Sequence, residues 1–204
     1  MKRILTLLVA LAIAGTVSVP AQVTVEYGAL GNSIRDPDGS GADSGQLVRL
    51  GTFPTNFDFS ANQTFSSLDA AFTQFDTTTI AGGAGTTEGQ FFDSVVLTNS
   101  AFFGKLLYVW VLNTPTASNP TAWLILTSTD PNWVTPTAGP DFTAIDTSDP
   151  GVFVPFGASG GSLANITSPN GKDWQIIAVP EPSTYALLVL GSAAALMARR
   201  RRRR

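Results

Sequence analysis

The chain has 204 residues with no Cys and no His, and its twelve Lys/Arg against fifteen Asp/Glu give a formal charge of −3. Without His and Cys there are no Ser-His-Asp triads, thiol nucleophiles, disulfide frameworks, or metal sites built on imidazole or thiolate. The charge is segregated: Lys2, Arg3 and Arg199–Arg204 hold eight of the basic residues, whereas residues 22–179 carry four Lys/Arg and fourteen Asp/Glu. So acidic a body repels nucleic acid and anionic lipid, and no nucleic-acid partner is expected.

Residues 1–21 are expected to be a secretory signal peptide. Met1-Lys2-Arg3 is a positive leader, and residues 4–14 form an apolar run broken only by Thr6. That run is short for a membrane span but suits the core of an export signal. Val19-Pro20-Ala21 supplies modest side chains before a cleavage that leaves Gln22 first.

Residues 22–178 are expected to form an all-β extracytoplasmic domain. All thirteen Phe and all four Trp lie there, among many Ser and Thr and clusters of Gly and Pro. Aromatic and β-branched residues favour strands, while Gly and Pro clusters mark the turns between them. Strands are predicted at Val23–Leu30, Gln46–Thr52, Gln90–Thr98, Leu106–Asn113, Ala122–Ser128, Gly151–Pro155 and Asp173–Val179. Val23–Tyr27 alternates as a strand with one wet face does. Leu106–Asn113 is bulky on both faces, which predicts a central strand covered on both sides, with Ala122–Thr127 as its antiparallel partner. Leu68, Ala71, Phe72 and Phe75 recur at helical spacing, and Ser66 with Asp69 resembles a capping box. The expected fold is a single β-sandwich, with a jelly roll as one form of it, carrying one short helix.

Two segments of this body suggest ligands. Carboxylates at Asp36, Asp38 and Asp43 in Asp36-Pro-Asp-Gly-Ser-Gly-Ala-Asp-Ser-Gly45 could wrap a hard cation, and Asp36, Asp38, Ser40 and Gly41 resemble the first, third, fifth and sixth places of a calcium loop. Leu47 stands where a bidentate Glu belongs, so a solvated turn is the competing reading. Trp133, in Asp130-Pro-Asn-Trp-Val, is the tryptophan expected to be exposed and able to stack on a sugar. Trp110 and Trp123 are expected in the core, and Trp174 in either place. Asn62-Gln-Thr64 and Asn165-Ile-Thr167 match glycosylation acceptors. For catalysis, paired carboxylates are the surviving option, but Glu26 and Glu88 are the domain's two glutamates and neither sits in a motif. No cofactor is expected.

Residues 179–204 close the chain. Val179-Pro180-Glu181-Pro182-Ser183-Thr184 precedes the apolar run Tyr185–Ala198, and six arginines follow. The run predicts a membrane helix over 185–198, with Arg199–Arg204 as a stop signal retained in the cytoplasm. Two prolines around Glu181 fix φ and disfavour helix, which presents an extended segment at the membrane face.

Pro180, Glu181 and Pro182 before a short apolar helix and a basic end resemble the PEP-CTERM sorting signal of exported bacterial proteins. That resemblance implies processing by an exosortase, a membrane protease-transpeptidase, with Pro180, Glu181 and Pro182 as the recognised element and cleavage close to them. It covers only the C-terminal 26 residues, 179–204. Arg49-Leu-Gly-Thr-Phe53 and Tyr108-Val-Trp110 are similar to segments of other PEP-CTERM proteins, which implies a shared ectodomain but no activity.

The expected protein is therefore exported across the inner membrane and held first as a membrane-anchored precursor. It then passes to the cell envelope, surface or extracellular matrix, in a structural or adhesive role without catalysis. The secretion machinery and an exosortase are its expected partners, with polysaccharide as a further one. A carbohydrate-binding module is the alternative function, and a carboxylate-based glycoside hydrolase a more remote one.

Overall fold

The computed structural model describes residues 22–156, 167–168 and 171–178. The expected signal peptide (1–21), the sorting signal (179–204) and Asn165 lie outside the described residues. In chain order the elements are β1 (Val23–Gly28), β2 (Ile34–Arg35), β3 (Leu47–Thr52), α1 (Phe65–Ala71), β4 (Thr73–Thr79), β5 (Phe92–Leu97), β6 (Tyr108–Leu112) and β7 (Ala122–Ser128). They continue as β8 (Asp141–Asp146), β9 (Val152–Phe156), β10 (Thr167–Ser168), β11 (Gly171–Lys172), β12 (Trp174–Gln175) and β13 (Ile177–Ala178). The protein is thus mostly β with one short α-helix among the described residues. None of its described helices is long and apolar enough to cross a membrane.

Two sheets carry the architecture. The larger runs β13-β7-β6-β3-β4, with β9 also pairing along β7, and the smaller runs β5-β1-β8. Side-chain alternation on the larger sheet divides its apolar residues between two clusters. Val109 and Val111 of β6, with Leu124 and Leu126 of β7, face the smaller sheet and meet Val23, Val25 and Tyr27 of β1. Tyr108, Trp110 and Leu112, with Trp123 and Ile125, point the other way, against α1 and the aromatic segment at Phe53–Phe65. Both faces of β6 and β7 are therefore covered, and every residue of each strand is buried. Burying one of these large side chains stabilises the fold by about 2–3 kcal/mol.

The expected β6–β7 pair is present, antiparallel, with Trp110 opposite Ile125. β1 alternates as expected, with Thr24 and Glu26 on its wetter face. The predicted strand Asp173–Val179 divides into β12 and β13, because Ile176 turns fully into the core between them.

Three features depart from expectation. The helix begins two residues earlier than the Ser66 reading, with Thr64 as its N-cap accepting from Ser67 N. It ends at Ala71, because Thr73–Thr79 leaves the helix to pair with β3. Phe75 therefore sits on strand β4 and meets Phe102, with ring centroids 5.0 Å apart. The unanticipated β8 runs parallel to β1, with Val23 opposite Asp141. A parallel pair sets the molecule apart from the antiparallel jelly roll.

Candidate functional site

The Asp36–Gly45 segment folds as a turn immediately after β2. Asp36 N donates to Ser40 O (2.9 Å) and Gly39 N to Asp36 O (2.9 Å). The Asp36 carboxylate accepts Gln46 Nε2 at 2.9 and 3.0 Å, and Asp43 N at 3.3 Å. The exposed Asp38 carboxylate accepts the Ser40 hydroxyl (2.6 Å) and the Ser40 amide (2.9 Å), and these bonds hold it below the usual carboxylate range. The Asp36 and Asp38 carboxylates are thus directed to the turn's own donors, and Asp43 joins the turn through its backbone N and O. Among the described residues no three His, Cys, Asp or Glu converge so as to hold a metal ion.

The same Asp-x-Ser device recurs twice. Asp58 accepts the hydroxyl and amide of Ser60 (2.6 and 2.9 Å), which lowers its pKa as well. Asp146 accepts the Ser148 amide (2.8 Å) and hydroxyl (2.5 Å). These aspartates are building turns, as an Asp two residues before a Ser is suited to do.

Trp133 corrects the sequence reading. The segment forms the expected turn, with Asp130 accepting Asn132 N at 2.8 Å. The indole nevertheless lies wholly in the core, and its Nε1 donates to Asp149 Oδ2 (2.9 Å). Burying the indole is favourable because its one polar group finds that carboxylate. Trp133 has no free face for a sugar. Trp110 and Trp123 are buried as expected. Trp174 is partly buried, and its Nε1 donates to Thr147 O at 2.8 Å.

Glu26 lies on the outer face of the smaller sheet, beside an open depression of about 220 Å³ that Asp146 and Asp149 also line. Both aspartates are already engaged: Asp146 accepts Leu30 N (2.9 Å), and Asp149 holds Trp133 and accepts Asp146 N (2.8 Å). At the Asn62 acceptor, the Nδ2 that a glycan would modify donates to Asp58 O (2.8 Å), and Thr64 Oγ1 caps α1.

The fold brings the Arg49–Phe53 and Tyr108–Trp110 segments side by side. Arg49 pairs with Trp110 and Gly51 with Tyr108 across β3 and β6. The Arg49 guanidinium lies 4.9 Å from the Phe72 ring centre and 4.8 Å from that of Trp110. It also donates to Asp69 and Gln74, both at 2.6 Å. Gly51 leaves room for Phe72, since a Cβ there would stand 2.6 Å from the ring. Phe53 then packs its ring on Phe57, Phe59, Phe72 and Tyr108 at 4.8–5.1 Å. These residues form an aromatic core around a buried cation.

The arrangement that sequence reasoning missed lies at the last described strands. Asp173, with its side chain fully buried, accepts Arg35 Nη2 (2.6 Å), Arg35 Nε (2.7 Å) and Ser33 N (2.9 Å). Beyond it, β12 lies parallel to β2, and Ile176 N donates to Arg35 O (2.8 Å). Gln175 Nε2 reaches the Asp36 and Pro37 carbonyls at 3.1 and 3.0 Å. β13 then pairs with the start of β7, Ile177 opposite Trp123 and Ala178 opposite Ala122. An aspartate just before a Trp-Gln-Ile-Ile run was the available signal, but its partner is 138 residues away in sequence.

Comparison with known families matches residues 178–203 to the PEP-CTERM protein-sorting motif. That match begins on the last residue of β13. Comparisons with curated proteins and with solved structures give no match.

Proposed function

We propose that the chain is an exported precursor whose β domain is delivered to the cell surface or extracellular matrix for a structural or adhesive role, without catalysis. The sorting motif at residues 178–203 is the observation that carries this reading. An exosortase would recognise Pro180, Glu181 and Pro182, while residues 185–198 hold the precursor in the membrane until cleavage. The domain suits such handling because its last described strand ends at Ala178, just ahead of the recognised element, so cleavage beyond that point removes none of the described core residues. A structural role is further supported by the Asp-x-Ser turns and by Asp149 and Asp173, whose carboxylates hold the fold together. With Trp133 in the core, the carbohydrate-binding alternative loses the residue on which it rested.

The test is deletion of Pro180–Pro182 in cells that contain an exosortase, followed by pulse-chase immunoblotting of membrane and released fractions. The expected outcome is a persistent membrane-bound precursor. Processing at the wild-type rate and position would refute the reading.

A further inference from the structure

We propose that the surface around Ala178, formed by β13, the start of β7 and the Asn113–Thr121 loop, is where the domain docks on the enzyme that grips the sorting motif. The proposal rests on the processing reading above and follows from how little chain separates the two. A residue advances the chain by at most about 3.6 Å, so Pro180 stays within roughly 7 Å of Ala178. A protein that closes a cleft around Pro180–Pro182 is far wider than that gap, so its rim must meet whatever surrounds Ala178.

The short reach matters only if the chain end cannot peel away. Four attachments hold it: the Asp173–Arg35 pair, the fully buried Ile176, the Ile176 N to Arg35 O bond and the β13–β7 pairing. Releasing β13 alone would also uncover the edge of β7 at Ala122 and Trp123, both buried.

The Asn113–Thr121 loop is tied at its ends and carries no charged residue. Asn113 Oδ1 accepts Thr121 N (3.1 Å) and Ala122 N (3.0 Å), while its Nδ2 donates to Thr121 Oγ1 (3.0 Å). The two ends of the loop are thereby tied together. Between them, residues 115–119 and 121 are exposed. From Asn113 to Trp123 there is no Asp, Glu, Lys or Arg, in a body that otherwise carries fourteen acids. Docking on this loop desolvates no charged side chain of its own, and desolvating charge is the costly step in covering an acidic protein. The partner it fits is a protein face rich in hydrogen-bonding and apolar groups.

The test measures conversion of full-length precursor in exosortase-containing cells by pulse-chase. Thr121→Trp places bulk next to Ala122, and conversion is expected to slow by about tenfold, the effect of obstructing a central interface position. A Gly/Ser spacer of about six residues between Ala178 and Val179 should restore the rate by letting the enzyme stand off. Ala101→Trp, on an exposed residue beyond the opposite end of β6, should convert as wild type does. If Thr121→Trp lowers the melting temperature, Ala117→Trp at the exposed loop tip replaces it. Wild-type conversion of the loop variant overturns the proposal. So does slowing that the spacer fails to relieve, which would assign the face to another partner. Failure of the wild-type precursor to convert at all would instead refute the processing reading.

Discussion

Asp173→Ala should destabilise the domain by about 3 kcal/mol, because it removes one side of a buried ion pair and leaves the other side in place. The Asp173 side chain is fully buried, and three donors converge on it: Arg35 Nη2, Arg35 Nε and Ser33 N. Losing one partner of such a pair costs about 3–5 kcal/mol, since a charge is left without compensation. The lower end applies here because the Arg35 side chain is 26% exposed and can recover some hydration. The orphaned Ser33 amide adds to the loss. For a protein of this size, about 3 kcal/mol corresponds to a fall in Tm of roughly 6–12 °C. Asp173→Asn keeps acceptors for Ser33 N and one Arg35 nitrogen but loses the charge, so it should fall between Ala and wild type. The assay is urea and thermal unfolding of the purified exported protein followed by tryptophan fluorescence. A loss below about 1 kcal/mol for Asp173→Ala would show that the pair is no better than an exposed one, and would refute the reasoning.

Gly51→Ala should destabilise by about 1–3 kcal/mol, the usual cost of overpacking, because the added Cβ would stand 2.5 Å from Thr73 O and 2.6 Å from the Phe72 ring. Equilibrium unfolding checks it, and the near-ultraviolet circular dichroism should change as the ring moves. Asp76 accepts the Tyr27 hydroxyl between the two sheets (3.0 Å). Its pKa is raised, mainly by burial and further by Asp93, against the lowering effect of the Tyr27 and Thr77 hydrogen bonds. A carboxyl raised in the folded state favours folding when protonated, and that contribution is lost as pH rises through the folded value. Asp76→Asn keeps the acceptor without the charge, so its Tm should exceed that of wild type at pH 7, and the gap should close on acidification to pH 4. A gap that is constant with pH would contradict this.

Much of the architecture could be read locally, and each failure has an identifiable cause. The β6–β7 pair was legible because both strands are apolar on both faces and a Thr/Pro-rich loop joins them. The run Leu68, Ala71, Phe72, Phe75 has helical spacing, yet the helix stops at Ala71. Pairing with β3 gives Thr73–Thr79 a ladder of backbone hydrogen bonds, and its threonines suit a strand. β8 was missed because Asp141-Phe-Thr-Ala-Ile-Asp146 lacks a strong apolar pattern, and its parallel partner β1 lies more than a hundred residues earlier. Trp133 was placed correctly in a turn and wrongly in solvent.

The sequence by itself determined what depends on composition and local pattern. That includes the excluded chemistries, the acidic body between basic ends, the sorting motif and the strand-rich character. The tertiary structure alone decided what depends on distant partners: that Trp133 finds Asp149, that Arg49 lies between Phe72 and Trp110, and that Asp173 clamps Arg35 beside the chain's exit. Turns and strands are built by neighbours a few residues apart, so their signals are written contiguously. Burial and ion pairing are settled only when remote segments meet.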